Sequence, residues 1–205
     1  PGSDPGSVAD CTVWSLDTFG QNLVACNNSD GKLYKWGLNT NTPAALIAAA
    51  PTACRGLVVT AEGVIFALGA DGDPRTVAWC DLRDETNWTA GLPSLAGTFP
   101  LQTPGRLMCG RRVRGGTLLF TDVDAHLATF NDPSNPYSFE RVGTDCGVIS
   151  QGAAVAASDG LCAWMGRDGF FAFEGGVRVL ACEVSDYVFG DINRAQASKV
   201  TAVHS

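Results

Sequence analysis

Histidine is nearly missing from this chain, with only His126 and His204 in 205 residues. None of the eight cysteines, at 11, 26, 54, 80, 109, 146, 162 and 182, has C-x-x-C spacing or sits beside a histidine. A zinc site of the usual Cys/His spacing is therefore not expected. Charge is scarce too: charged residues make up 17% and the net charge is −7. An acidic chain does not grip nucleic acid by counterion release, which needs clustered Lys and Arg. No apolar run approaches the ~18 residues of a membrane span, so no span is expected. Ser150, Ser158 and Ser185 lack a G-x-S-x-G setting. The glycine turn at 166–169 lacks the Lys-Ser/Thr that would complete a phosphate loop.

What the chain does have is glycine: 24 residues, about 12% against a usual ~7%. That excess predicts many tight turns and hence many short strands. Hydrophobic residues make up 45%, enough for a folded core. Most cysteines lie within apolar runs, where a thiol packs as a small hydrophobe. The even count permits disulfides, but reduced, buried thiols are the expectation.

The strands fall into four copies of one unit. In the first, strands are expected at 12–16, 22–26, 32–36 and 44–49. The turn Asn28-Ser29-Asp30-Gly31 joins the second to the third. The second copy places strands at 56–60, 64–68 and 76–80, followed by a looser stretch over 91–104. The third has strands at 106–113, 117–121, 126–130 and 137–141. The fourth, at 153–157, 161–165, 170–173 and 177–181, is joined by three glycine turns and reads as one antiparallel meander. Trp36, Trp79, Phe130 and Phe173 fall in the third strand of each copy, 43, 51 and 43 residues apart. Four-stranded units at a period of roughly 40–50 residues predict an all-β fold, the β-propeller. A β-sandwich is the alternative.

The expected organisation is a linker over 1–10 and a propeller portion over 11–205. Its blades fall near 11–50, 55–104, 106–147 and 152–183. Residues 184–198 read as an inter-blade connection, capped at Ser185 and carrying Tyr187 and Phe189 under the next blade. Residues 199–205 read as the start of a fifth blade. The opening loop and this final alternating run suggest a portion of a longer polypeptide.

Three clusters invite a functional reading. Asp81, Asp84 and Glu85 crowd one turn between Trp79 and Trp88, but their spacing does not fit a calcium loop. A turn in which Asp81 accepts backbone N–H groups and Trp88 packs over the blade edge is expected. Glycosidase-type carboxylates supplied by different blades would leave no mark in spacing. Asp122, Asp124 and His126 suggest a metal, though a solvated hairpin turn is expected instead. Arg111, Arg112 and Arg114 form the only basic cluster, too small for a nucleic-acid footprint. Arg112 and Arg114 share one strand face, a candidate contact with the acidic surface of a neighbouring subunit.

Residues 79–88, Trp-Cys-Asp-Leu-Arg-Asp-Glu-Thr-Asn-Trp, resemble the W-S-D-x-x-D-x-x-x-W signature of virion proteins from tailed bacteriophages. Residues 163–175 resemble their W-x-G-x-D-G-F-x-x-Y-x-G element. Residues 14–25, 180–184 and 188–193 fit the same pattern, so the resemblance covers nearly the whole chain. Cys80 replaces the usual Ser and Phe173 the usual Tyr. These relatives include the tail hub or nozzle and head-to-tail completion proteins of short-tailed phages. The resemblance implies a β-propeller on a ring whose lumen passes DNA, located in the virion and assembled in the bacterial host cytoplasm. The implied partners are identical subunits, portal, adaptor or other tail proteins, and double-stranded DNA passing without specific recognition. No catalytic, cofactor-binding or metal residue is carried over, and no enzyme activity is expected. A receptor- or carbohydrate-binding propeller, with Trp88, Tyr137 or Phe139 exposed at a loop face, is the alternative.

Overall fold

The computed structural model describes residues 12–133, 135–157 and 160–204. The expected linker and Ser158 lie outside them. The chain forms four antiparallel four-stranded sheets, each in simple sequence order. The first sheet contains β1 (Trp14–Phe19), β2 (Asn22–Asn27), β3 (Lys32–Trp36) and β4 (Ala45–Leu46). The second contains β5 (Gly56–Val59), β6 (Ile65–Leu68), β7 (Thr76–Trp79) and β8 (Gly97–Pro100). In the third are β9 (Leu107–Val113), β10 (Gly116–Thr121), β11 (Ala125–Asp132) and β12 (Asn135–Gly143). The fourth is β13 (Ala154–Ala156), β14 (Cys162–Met165), β15 (Phe170–Phe173) and β16 (Val177–Leu180). The looser stretch of the second copy thus holds its fourth strand.

The first strands pack in series, β1 on β5, β5 on β9 and β9 on β13, so the sheets stand as blades around their innermost strands. Burial follows position in this arc. β6 (Ile-Phe-Ala-Leu) is buried at every residue, and β10 is buried from Thr117 to Thr121. Leu119 joins the core shared with blades 1 and 2, whereas Leu118 and Phe120 join the core shared with blade 4. A blade with neighbours on both sides needs apolar residues on both faces. The end blades alternate instead: Val24 and Cys26 of β2 are buried, as are Cys162 and Trp164 of β14, while their neighbours are only half-buried. Trp14 and Leu16 on β1 stay 50% and 60% exposed.

Several expectations change. The third-strand aromatics mark the third strands but not one packing position. Trp36 pairs with Leu23, Trp79 with Phe66 and Phe173 with Cys162, whereas Phe130 lies beyond the last pair of β10 and β11 and faces Tyr137. Period alone fixes which strand recurs, and register decides what each ring touches. The connection contains a helix, α1 (Ser185–Asp191), whose N-cap is Val184 with no side-chain bond, so Ser185 does not cap it. Tyr187 is exposed, and the Phe189 ring sits 5.2 Å from Phe170 of β15. Residues 200–204 form no strand. The Ala202 N–H donates to Gly152 O at 2.8 Å, laying this segment beside the lead-in to β13.

Candidate functional site

A meander places the start of its first strand and its second-to-third-strand turn at the same end. Four meanders around one axis therefore gather these segments on a single face. Val13, Arg55, Arg106 and Gln151 precede or lead into β1, β5, β9 and β13, and Asn28, Asp122 and Arg167 lie in the second-to-third turns of blades 1, 3 and 4. Together they line a cavity of about 550 Å³. Gln151 ties the inner ends together: its amide donates to Arg55 O, and its Oε1 accepts from Asn28 Nδ2 at 3.3 Å. Arg106 holds Asp122 through its backbone N–H at 2.8 Å and its Nε at 3.2 Å. Arg194, from a 3-10 segment after α1, pairs with Asp168 at 2.9 Å and donates to Arg167 O at 3.2 Å. No motif announced this cavity. Its residues are scattered through the sequence, and the only available signal was their common position at blade starts and turns.

The carboxylates of the 81–88 turn diverge. Asp81 accepts from Leu82 N–H at 2.8 Å, Leu95 N–H at 2.9 Å and Asn87 Nδ2 at 3.2 Å. Asp84 accepts from the Thr86 hydroxyl at 2.6 Å and its N–H at 2.9 Å, and these bonds hold its carboxyl below the usual range. Glu85 pairs with Lys35 of blade 1. Trp88 packs half-buried, its indole N–H on Glu85 O at 2.7 Å. All three carboxylates serve the turn or its neighbour blade.

The hairpin at 122–124 is not the solvated turn expected. Asp124 and His126 are each 2% exposed. Asp124 accepts from the hydroxyls of Thr121 at 2.5 Å and Thr103 at 2.8 Å. His126 Nε2 lies 3.1 Å from Asp124 Oδ1 but off a hydrogen-bonding direction, leaving that nitrogen without a hydrogen-bond partner. Burial lowers the His126 pKa, and Asp124 offsets this only in part. Among the described residues, no three His, Cys, Asp or Glu side chains converge as a metal would require.

The arginine cluster is largely used within the chain. Arg111 donates to Ala154 O at 2.8 Å and Gln151 O at 3.4 Å, fastening β9 to β13. Arg112 reaches Asp17 on β1 at 2.9 Å, while the other Asp17 oxygen accepts the Val59 N–H at 2.9 Å. The aromatic platform of the alternative reading is also changed. Tyr137 is buried, with its hydroxyl 3.2 Å from Thr60 Oγ1 and its pKa raised mainly by burial. Phe139 stacks on Phe99, with centroids 4.8 Å apart. Both rings belong to the interface of blades 2 and 3. Ser150 is buried, its hydroxyl on Val200 O. Cys26, Cys54, Cys80, Cys109, Cys146 and Cys162 are buried free thiols, and Cys182 is half-buried and free.

No protein-family model matches the chain, and no curated protein matches it either. Solved structures do share the fold. The extracellular domain of a protein described as a hybrid two-component system from B. thetaiotaomicron aligns with TM-score 0.55 and 9% identity, over 82% of this chain and 22% of that one. A streptogramin B lyase aligns with TM-score 0.53 and 8% identity, over 88% of this chain and 57% of its own. Virginiamycin B lyase from Staphylococcus aureus gives 0.55 and 6%, over 85% and 57%. The chain thus spans well under two thirds of these structures. At such identity the likeness defines a class by fold alone: an all-β, propeller-like array of four-stranded blades.

Proposed function

We propose that this chain is the propeller portion of a structural virion protein of a tailed bacteriophage, a ring component of the tail or head-to-tail junction. One observation carries the reading: the residues that resemble the virion signature are occupied with architecture. The indole N–H of Trp79 holds Leu95 O at 2.7 Å, and that of Trp164 holds Cys146 O at 2.6 Å. Asp81 binds its own turn and Leu95, Asp84 binds its own turn, Asp168 binds Arg194, and Gly166 leaves room for the Phe171 ring, which a Cβ there would meet at 2.6 Å. A signature spent on latching loops to blades suits a protein whose task is to hold shape. The net charge of −7 supports a place beside passing DNA, since like charge keeps the duplex from adhering. On this reading the partners are identical subunits and adjoining tail or portal proteins.

Electron microscopy of virions carrying the full-length product is expected to show it as a ring around the tail axis. A full-length product that stays monomeric and is missing from purified virions would overturn the proposal. The receptor-binding reading retains Trp88 alone of its three aromatics, and a glycan array tests it directly. Saturable binding that is lost on Trp88→Ala would favour it over the ring component.

A further inference from the structure

The cavity at the face where the first strands begin has a charge opposite to that of the molecule. Arg55, Arg106, Arg167 and Arg194 all line it, in a chain with net charge −7. Its one lining carboxylate, Asp122, is already engaged by Arg106. Arg194 is held by Asp168. The guanidinium groups of Arg55 and Arg167 make no ion pair among the described residues. Two uncommitted guanidinium groups on residues that line one concavity can supply paired N–H donors of the geometry that carboxylate and phosphate groups accept. The volume of about 550 Å³ is that of a small-molecule site. It is a pocket, not the extended basic stripe that nucleic acid requires.

We propose that this cavity binds a small, multiply charged anion bearing phosphate or carboxylate groups, with Arg55 and Arg167 as its principal contacts. The inference is independent of the virion reading. It rests on how the blade starts and turns converge, which holds for any function of the fold.

Calorimetric titration of the 205-residue chain with pyrophosphate and with citrate, at about 50 mM salt to limit screening, tests it. Saturable one-to-one binding of at least one anion is expected, and preference for one assigns phosphate or carboxylate chemistry. The double variant Arg55→Gln/Arg167→Gln should weaken binding at least tenfold with an unchanged circular dichroism spectrum, whereas Arg178→Gln on β16 should leave it unaltered. If the double variant misfolds, Arg167→Gln alone, on an exposed hairpin, should still weaken binding severalfold. Absence of saturable binding by both anions overturns the proposal, as does equal loss in Arg178→Gln or full affinity in the arginine variants.

Discussion

Single side chains in this protein matter through what they leave behind when removed. Asp17 accepts both Arg112 and the N–H of buried Val59. Asp17→Ala should cost about 1–3 kcal/mol in urea unfolding because it orphans a buried donor. Arg112→Ala should cost under about 1 kcal/mol, since the pair is half-exposed. Equal losses would show that the Val59 bond contributes nothing. His126 predicts a pH effect. Burial holds its folded pKa below the ordinary histidine value of about 6.5. As pH falls below 6.5, the unfolded chain binds a proton that the folded chain resists, and stability declines. His126→Gln should flatten the dependence of the urea midpoint between about pH 7 and 5. An unaltered slope would remove His126 from the account. Neither role was legible in the sequence. The 122–126 turn carries three polar residues in five and reads as solvated, but contacts with Thr103 bury it from outside the turn.

At the scale of elements, strand order and turn positions followed from glycines and alternation, because these are local properties of the chain. Pairing between blades did not, because it depends on residues far apart in sequence. Gly110 on β9 shows this: a Cβ there would meet Val58 Cγ1 of β5 at 2.5 Å. Gly110→Ala should destabilise the protein by about 1–3 kcal/mol through overpacking. Adding Val58→Ala should recover part of that loss, and a double variant no better than the sum of the two singles would refute the close approach. Gly147→Ala should be harsher, since its Cβ would fall 2.2 Å from the Asp122–Val123 backbone, which cannot rotate away. The 81–88 turn was legible as a turn, but Glu85 pairing with Lys35 across blades was not.

For the whole molecule, the buried thiols act together. Burial pushes Cys26, Cys54, Cys80 and Cys162 up to about 12 and Cys146 to about 11, from an ordinary thiol value of 9.0. A raised folded pKa keeps its stabilisation below the unfolded value and loses it as pH climbs past that value. Under reducing conditions the urea midpoint should therefore fall steadily above about pH 9, and Cys162→Ala should make that fall shallower. A midpoint constant to pH 10.5 would contradict a burial origin for these shifts. In native protein, Cys182 should react with a thiol reagent well before the six buried cysteines. The sequence by itself determined the all-β class, the four-strand unit and its repetition, since alternation, glycine turns and period are written along the chain. Tertiary structure alone decided which blades are buried on both faces, which aromatics are core, and where four arginines meet around a cavity. Those outcomes depend on the register and radial placement of distant strands, and no local pattern encodes that placement.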